Sequence, residues 1–115
     1  MEVQIFGVRN NADVRKAERF FKERRIRMHF MDFKQRAPSE GELRRFFQKF
    51  GEAKLIDRQS RRFLALGLQA AYYGDERWLE IACEEPLILR QPLVRAGNRL
   101  SVGLAEDEWQ SWVTG

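Results

Sequence analysis

The chain has 115 residues, of which 43% are hydrophobic and 33% charged, and its formal net charge is +4. This length suffices for one domain that buries roughly two-thirds of its unfolded surface without metal or disulfide cross-links. One cysteine and one histidine exclude an internal disulfide and leave no recognisable zinc or iron–sulfur spacing. No apolar run approaches the roughly 20 residues of a membrane span and no signal-peptide pattern opens the chain, so we expect a cytoplasmic protein.

The charge is unevenly distributed along the chain. Residues 1–62 hold 17 basic and 9 acidic side chains, whereas residues 63–115 hold 4 and 8. This asymmetry indicates an interaction with an acidic partner or, more simply, a solvated arginine-rich surface without a specific partner. Because no RNA- or DNA-binding motif accompanies the basic half, we do not expect direct nucleic-acid binding.

The chain opens with a strand, a loop and a helix. Residues 3–8 are typical of a short apolar strand, and residues 12–25 of a helix whose N-cap is Asn11 or Asn10. The free N–H groups at the start of such a helix lie beside the end of the strand, which makes a natural site for an anion or a thiolate. Residues 26–33 alternate in polarity and predict a second, parallel strand, with His29 on its outer face as a surface residue.

A predominantly helical region follows. Ser39 and Glu42 form a predicted capping box at the start of a helix that Gly51 ends. Its apolar face consists of Leu43, Phe46, Phe47 and Phe50. Residues 55–56 and 63–68 suggest short helical pieces, and a longer helix is predicted over residues 75–84. The apolar side of that helix carries Trp78, Leu79, Ala82 and Cys83, so the thiol is either inert packing or a reactive group.

The last part of the chain changes period again. Residues 92–95 and 99–103 predict an antiparallel hairpin around a turn at 96–98. Residues 105–113 predict a final helix with an acidic start. Its expected apolar side consists of Leu104, Trp109, Trp112 and Val113.

The order of elements is therefore βαβ, a helical insert, and ββα. This order predicts an α/β fold with a mixed (α+β) sheet in the thioredoxin-like arrangement. We expect one domain, 1–115, with its thioredoxin-like core in residues 1–36 and 86–115 and the helical insert in residues 37–85.

Four stretches of the sequence can be compared, in their order and spacing, with the motifs of known families. They are IFGVRNNADVRKAERFF, DFK followed by PSEGELRRFF, LIDRQSRRF, and EEPLILRQPLVRAGNRLSVGL. In this order and spacing they resemble the arsenate reductase family, in its ArsC/Spx branch of the thioredoxin-like fold. The resemblance covers nearly all of the chain and implies that fold.

The resemblance also implies where an active site would fall. Family members attack arsenate, or exchange with glutathione, through a thiolate at the helix N-terminus. The equivalent position here is Asn11, whose amide is not a usable nucleophile in thiol chemistry, and no cysteine precedes Cys83. Arg15 matches the family's basic position one turn into the helix. The family's Arg-Pro pair, in which the arginine binds the oxyanion and the proline is typically cis, is replaced by Gln91-Pro92.

Further residues are implied at the same corner. Arg90 stands one place before the family's arginine, and on a strand that shift points its side chain to the opposite face. Arg58, Arg61 or Arg62 can supply a cation from the middle loop. The candidate anion or ligand corner therefore comprises Asn10, Asn11, Ala12, Asp13, Arg15, Arg58, Arg90, Gln91 and Pro92.

Two classes of function remain open. The first is a non-catalytic ArsC/Spx-family protein that acts as a binding or regulatory module. Spx-like relatives contact RNA polymerase, so the resemblance implies a partner in the transcription machinery, with arginines such as Arg19 and Arg44 as candidate contacts. The alternative is a small-anion or glutathione-binding protein that uses the remnant corner, or a residual thiol reductase that uses Cys83. We expect no cofactor, no metal, and no arsenate or disulfide reduction of the family's usual kind.

Overall fold

A computed structural model describes residues 1–114, which separate into two compact units. The sheet unit consists of Met1–Asp32 and the residues from Gln91 onward, and the insert unit is Phe33–Arg90. The boundaries expected from the sequence, at 36/37 and 85/86, lie a few residues away. In chain order the elements are β1 (Glu2–Gly7), α1 (Ala12–Glu23), β2 (Arg27–Asp32), α2 (Glu40–Phe50), α3 (Glu52–Leu55), α4 (Arg61–Ala65), α5 (Asp75–Glu84), a 3-10 turn (Pro86–Ile88), β3 (Leu93–Ala96), β4 (Arg99–Val102) and α6 (Glu106–Thr114).

The sheet unit contains one four-stranded mixed sheet in the order β2-β1-β3-β4. Strands β1 and β2 are parallel, with Ile5 opposite Phe30, and α1 provides the crossover between them. Strands β1 and β3 are antiparallel, with Ile5 opposite Val94, and β3 and β4 form the predicted hairpin. The predicted βαβ and ββα halves are therefore confirmed, and they meet where β1 pairs with β3.

One face of this sheet carries the hydrophobic core of the unit. The buried cluster contains Val3, Ile5, Val14, Ala17, Phe20, Phe21, Val94, Ala96, Trp109 and Trp112. The predicted stripe on α1 is thus confirmed, whereas the prediction that Leu104 belongs to the apolar side of the last helix is wrong. Leu104 is 43% exposed, because it precedes α6 and follows Gly103, whose φ of 73° turns the chain. His29 is exposed, as predicted, and its Nε2 lies 3.5 Å from a Glu2 carboxylate oxygen.

The insert unit is helical, as its sequence predicts. Ser39 and Glu42 form the expected capping box at the start of α2, and Gly51 ends that helix with a φ of 76°. Of the predicted apolar face, Leu43, Phe46 and Phe47 are buried and Phe50 is only partly so. Ile56 follows α3 and forms a bridge with Leu89 instead of continuing a helix. Among residues 1–114, no helix combines the length and apolar content needed to cross a membrane.

Candidate functional site

The start of α1 is the first part of the candidate site, and Asn11 occupies it. Asn11 is the N-cap in an extended conformation, with φ −81° and ψ 128°, which confirms one of the two residues predicted for this role. Its side-chain Oδ1 accepts hydrogen bonds from the backbone N–H groups of Asp13, at 2.9 Å, and Val14, at 3.0 Å. The donors that a bound anion would use at this helix end are therefore satisfied by the chain's own amide.

Gln91 closes the other side of the same corner. Its side-chain Oε1 accepts a hydrogen bond of 2.8 Å from the backbone N–H of Val8, in the loop that follows β1. The peptide bond between Gln91 and Pro92 is cis, and Pro92 is buried at the start of the β3 hairpin. Residues 83 positions apart are thus joined by one amide group. Sequence reasoning placed Gln91 at this corner but missed its partner, and no local pattern indicates that bond.

Gly7 makes this arrangement possible. A Cβ atom at Gly7 would lie 2.6 Å from Cγ2 of Val14 and 2.9 Å from Oε1 of Gln91. Both distances are shorter than real Cβ atoms tolerate, so the Gln91 amide approaches the loop only because this residue has no side chain.

Arg15, the cation expected at the corner, bonds to the loop between β1 and α1. Arg15 is exposed, and its Nη1 donates a 3.2 Å hydrogen bond to the carbonyl oxygen of Arg9. The Arg9 guanidinium lies 4.2 Å from the centre of the Phe30 ring and forms an ion pair with Glu18 at 3.1 Å. Asn10 and Ala12 are exposed beside these residues. The structure therefore brings Asn11, Asp13 and Gln91 together through backbone donors and engages Arg15 with the loop itself.

The remaining candidate arginines lie in the insert unit, and all but the exposed Arg61 are engaged there. The Arg90 side-chain Nε donates to the carbonyl oxygen of Lys54 at 3.0 Å, and its backbone N–H donates to that of Leu55 at 2.7 Å. Arg58 lies close to three aromatic rings and donates to the carbonyl oxygen of Ala71 at 3.3 Å. Arg62 forms a two-pronged ion pair with Glu85, with both N···O distances 2.8 Å.

Two side-chain amides, those of Asn11 and Gln91, accept hydrogen bonds from the backbone at this corner. Its helix donors are satisfied by an amide oxygen, which is not a thiol nucleophile. In the described part of the chain, no three His, Cys, Asp or Glu side chains form a group that could hold a metal ion. Asn11 therefore stabilises the start of α1, and Gln91 ties the loop after β1 to the segment that leads into β3.

Comparison with known proteins identifies the family. The sequence model of the ArsC family matches residues 6–112. The chain belongs to the ArsC family. The order of motifs across the whole sequence had predicted this membership, and the single cysteine fits the missing active-site cysteine.

Relatives of this ArsC-family chain share its fold at low sequence identity. The Bacillus subtilis (strain 168) protein named "Uncharacterized protein YusI" is 23% identical over 100 residues, which cover 84% of this chain and 85% of that protein. The solved structure of the YFFB protein superposes with a TM-score of 0.86 at 22% identity, over 95% of this chain and 96% of the other. An arsenate reductase from Vibrio cholerae superposes with a TM-score of 0.80 at 18% identity, over 96% and 97%. These similarities show the thioredoxin-like α/β fold.

Removal of the Asn11 cap provides a test of its structural role in this ArsC-family protein. Asn11→Ala is expected to lower the free energy of unfolding by about 1 kcal/mol, because two backbone donors lose their acceptor. Urea denaturation followed by circular dichroism measures the change. The matched control is Asn10→Ala at the exposed neighbouring residue, for which we expect almost no change. Equal losses in the two variants would contradict the assigned cap.

The single cysteine lies outside the corner, on α5 of the insert unit. Burial raises the pKa of the Cys83 thiol, and the negative charges of Glu40 and Glu84 raise it further against the opposing effect of Arg44. Since only the thiolate reacts, Cys83 is expected to react with iodoacetamide more slowly at neutral pH than N-acetylcysteine. Its rate should also continue to rise at a pH where that of N-acetylcysteine has levelled off.

Alkylation in urea is the control for the Cys83 prediction. Unfolding removes both the burial and the fixed carboxylates, so the rate should rise to that of the free amino acid derivative. Faster alkylation in the folded protein than in urea would instead identify Cys83 as an activated thiol.

Proposed function

We propose that this chain is a non-catalytic ArsC-family protein that acts by binding and regulating a protein partner. The observation that supports the proposal is the occupied corner. Asn11 stands where the resemblance implies a thiol and accepts from two helix N–H groups, and Gln91 stands where it implies an arginine and accepts from Val8.

The chemistry of these substitutions opposes turnover. Reduction by the family needs a thiolate that attacks the oxyanion or a disulfide, and a carboxamide cannot take that step. An anion entering the corner would first have to displace the Asn11 oxygen from the helix donors. That displacement forfeits a cap of about 1 kcal/mol before any ligand contact forms. A small-anion or glutathione carrier is therefore the second candidate. It is disfavoured because the Asn11 and Gln91 amides already occupy the backbone donors.

The surface of α1 supports a partner with acidic groups. Arg19 and Lys22 are exposed, and neither forms an ion pair among the described residues. Arg44 was also predicted to contact the partner. Its guanidinium instead forms ion pairs with Glu76 at 2.8 Å and Glu40 at 2.7 Å. The transcription machinery is the first class of partner to examine, by analogy with Spx-like relatives.

An amide-shift titration tests whether the corner still binds ligands. Arsenate, phosphate and glutathione at millimolar concentration are expected to leave the resonances of residues 8–15 and 91–93 unchanged. The matched positive control is the double variant Asn11→Cys/Gln91→Arg, which restores the implied thiol and arginine. Saturable shifts confined to these residues in the wild-type protein would overturn the proposal and favour the anion or glutathione carrier.

Charge reversal on α1 tests the partner side of the proposal. Affinity capture from cell extract with the wild-type protein should yield a protein that is lost with Arg19→Glu/Lys22→Glu. The matched control is Arg45→Glu/Lys49→Glu, which reverses two exposed cations on α2. Capture that is unchanged by the α1 variant would remove this helix from the interface.

A further inference from the structure

The insert unit contains an uncharged segment in an otherwise highly charged chain. Residues 63–74, FLALGLQAAYYG, contain no charged side chain, although 33% of the chain is charged. The described chain exposes six large hydrophobic side chains, and four of them lie in this segment. They are Leu64 (44% exposed), Leu66 (37%), Tyr72 (84%) and Tyr73 (43%). Concentrated exposure of this kind marks an interaction surface more often than scattered single residues do.

Two buried aromatic residues hold the ends of the 63–74 segment. Phe63 is 1% exposed and Trp78 is fully buried, and their ring centroids lie 6.0 Å apart. The Tyr73 ring packs edge-on against Trp78 at 5.2 Å. Leu64 directly follows Phe63 on α4, so its exposed side chain is presented by an anchored helix.

Arg58 fixes the most exposed ring. Its guanidinium carbon lies 5.2 Å from the centre of the Tyr72 ring, 5.3 Å from that of Phe63 and 5.4 Å from that of Trp78. The same guanidinium donates to the carbonyl oxygen of Ala71 at 3.3 Å. Tyr72 is therefore positioned by a cation and not by burial, which keeps its other face free and reduces the entropy lost when that face binds a partner.

Among the described residues, Arg61 is a free cation beside the segment. Asp57 accepts from the backbone N–H of Gln59, Asp75 from that of Glu52, and Glu76 pairs with Arg44. Arg61 is exposed and forms no ion pair among the described residues. It lies three residues before Leu64 on α4, which places the two on the same side of the helix.

We propose that the 63–74 segment is the docking surface for an acidic protein segment that carries apolar side chains. Leu64, Leu66 and Tyr72 provide the apolar contacts, and Arg61 faces the partner's carboxylates. Two copies of this chain would bring two Arg61 side chains together, so a second copy is disfavoured. A nucleic acid would require more free cations than this segment carries. The inference rests on the proposed protein-binding function and adds to the α1 surface a second contact surface, in the insert unit.

Selection from a random 15-residue peptide library displayed on phage tests this surface. The wild-type protein should select peptides in which Asp or Glu flanks Leu, Phe or Trp. A synthetic peptide of the selected sequence should bind Leu66→Ser/Tyr72→Ser more than about tenfold more weakly, as the loss of a central tyrosine contact requires. Arg61→Glu should weaken binding as well, and the affinity for wild type should fall as salt is added. The matched control is Leu104→Ser, because Leu104 is 43% exposed in the sheet unit and should bind the peptide as wild type does.

Several outcomes would overturn the inference. Failure to select acidic peptides, or equal affinity of the selected peptide for wild type and the double serine variant, would each remove the segment as the site. Preferential binding of a 15-nucleotide single-stranded oligonucleotide by the same residues would replace the protein partner with a nucleic acid. Self-association in sedimentation that the double variant abolishes would assign the surface to a second copy. None of these results bears on the titration of the Asn11 corner, so the two proposals fail separately.

Discussion

Replacement of Trp109 by alanine is expected to lower the free energy of unfolding by about 3–5 kcal/mol. The side chain is fully buried, and its ring lies 5.5 Å from that of Phe20 and 5.4 Å from that of Phe21. Its Nε1–H also donates a buried hydrogen bond of 2.7 Å to Oγ of Ser101. One residue therefore joins α6 to both α1 and β4, and its removal leaves a cavity together with an unpaired hydroxyl.

Two further variants separate the packing of Trp109 from its hydrogen bond. Ser101→Ala keeps the ring and leaves Nε1–H without its acceptor, so we expect a smaller loss of about 1–3 kcal/mol. Trp109→Phe keeps much of the ring volume and should fall between Ser101→Ala and Trp109→Ala. Urea denaturation followed by far-ultraviolet circular dichroism measures all three. A loss below 1 kcal/mol for Trp109→Ala would show that the ring does not organise this core.

Replacement of Gly7 by alanine is expected to lower the free energy of unfolding by about 1–3 kcal/mol. The new methyl group would meet Cγ2 of Val14 at 2.6 Å and Oε1 of Gln91 at 2.9 Å. Val14 is buried on α1, and Gln91 is held by its bond to Val8, so neither can move without loss. We expect the Val8 amide resonance to shift as its hydrogen bond lengthens, which links the stability change to the corner.

Gly41→Ala is the matched control for the Gly7 prediction. No atom lies within 4 Å of a Cβ built at Gly41, which belongs to the first turn of α2. Alanine there should leave stability unchanged or raise it slightly, because alanine favours helix more than glycine does. Similar losses at Gly7 and Gly41 would indicate a general cost of replacing glycine and would contradict the close contact at the corner.

The corner keeps a structural role without the residues that the resemblance assigns to catalysis. Asn11 stabilises the start of α1, and Gln91 ties the loop after β1 to the segment that leads into β3. The backbone donors of Val8, Asp13 and Val14 therefore all have acceptors, and the fold of the family is retained.

The local elements of this protein follow from short-range patterns in its sequence. The capping box of Ser39 and Glu42, the Asn11 cap and the helical period of α1 each depend on residues a few positions apart. The order βαβ, insert, ββα followed from these elements, and the order of motifs placed the chain in its family. Such features are predictable because their physical causes, capping and amphipathic burial, act within one or two turns of chain.

The contacts between side chains of distant elements depend on the tertiary fold. The bond from Val8 to Gln91 spans 83 positions, and Arg44 is held by Glu76 across 32. Arg58 was predicted as a cation for the corner, yet its guanidinium packs among the aromatic rings of its own unit. Partners of long polar side chains depend on where the backbone brings other elements, which no local period specifies. The sequence therefore indicates the corner, and the fold shows that the protein's own amides occupy its backbone donors.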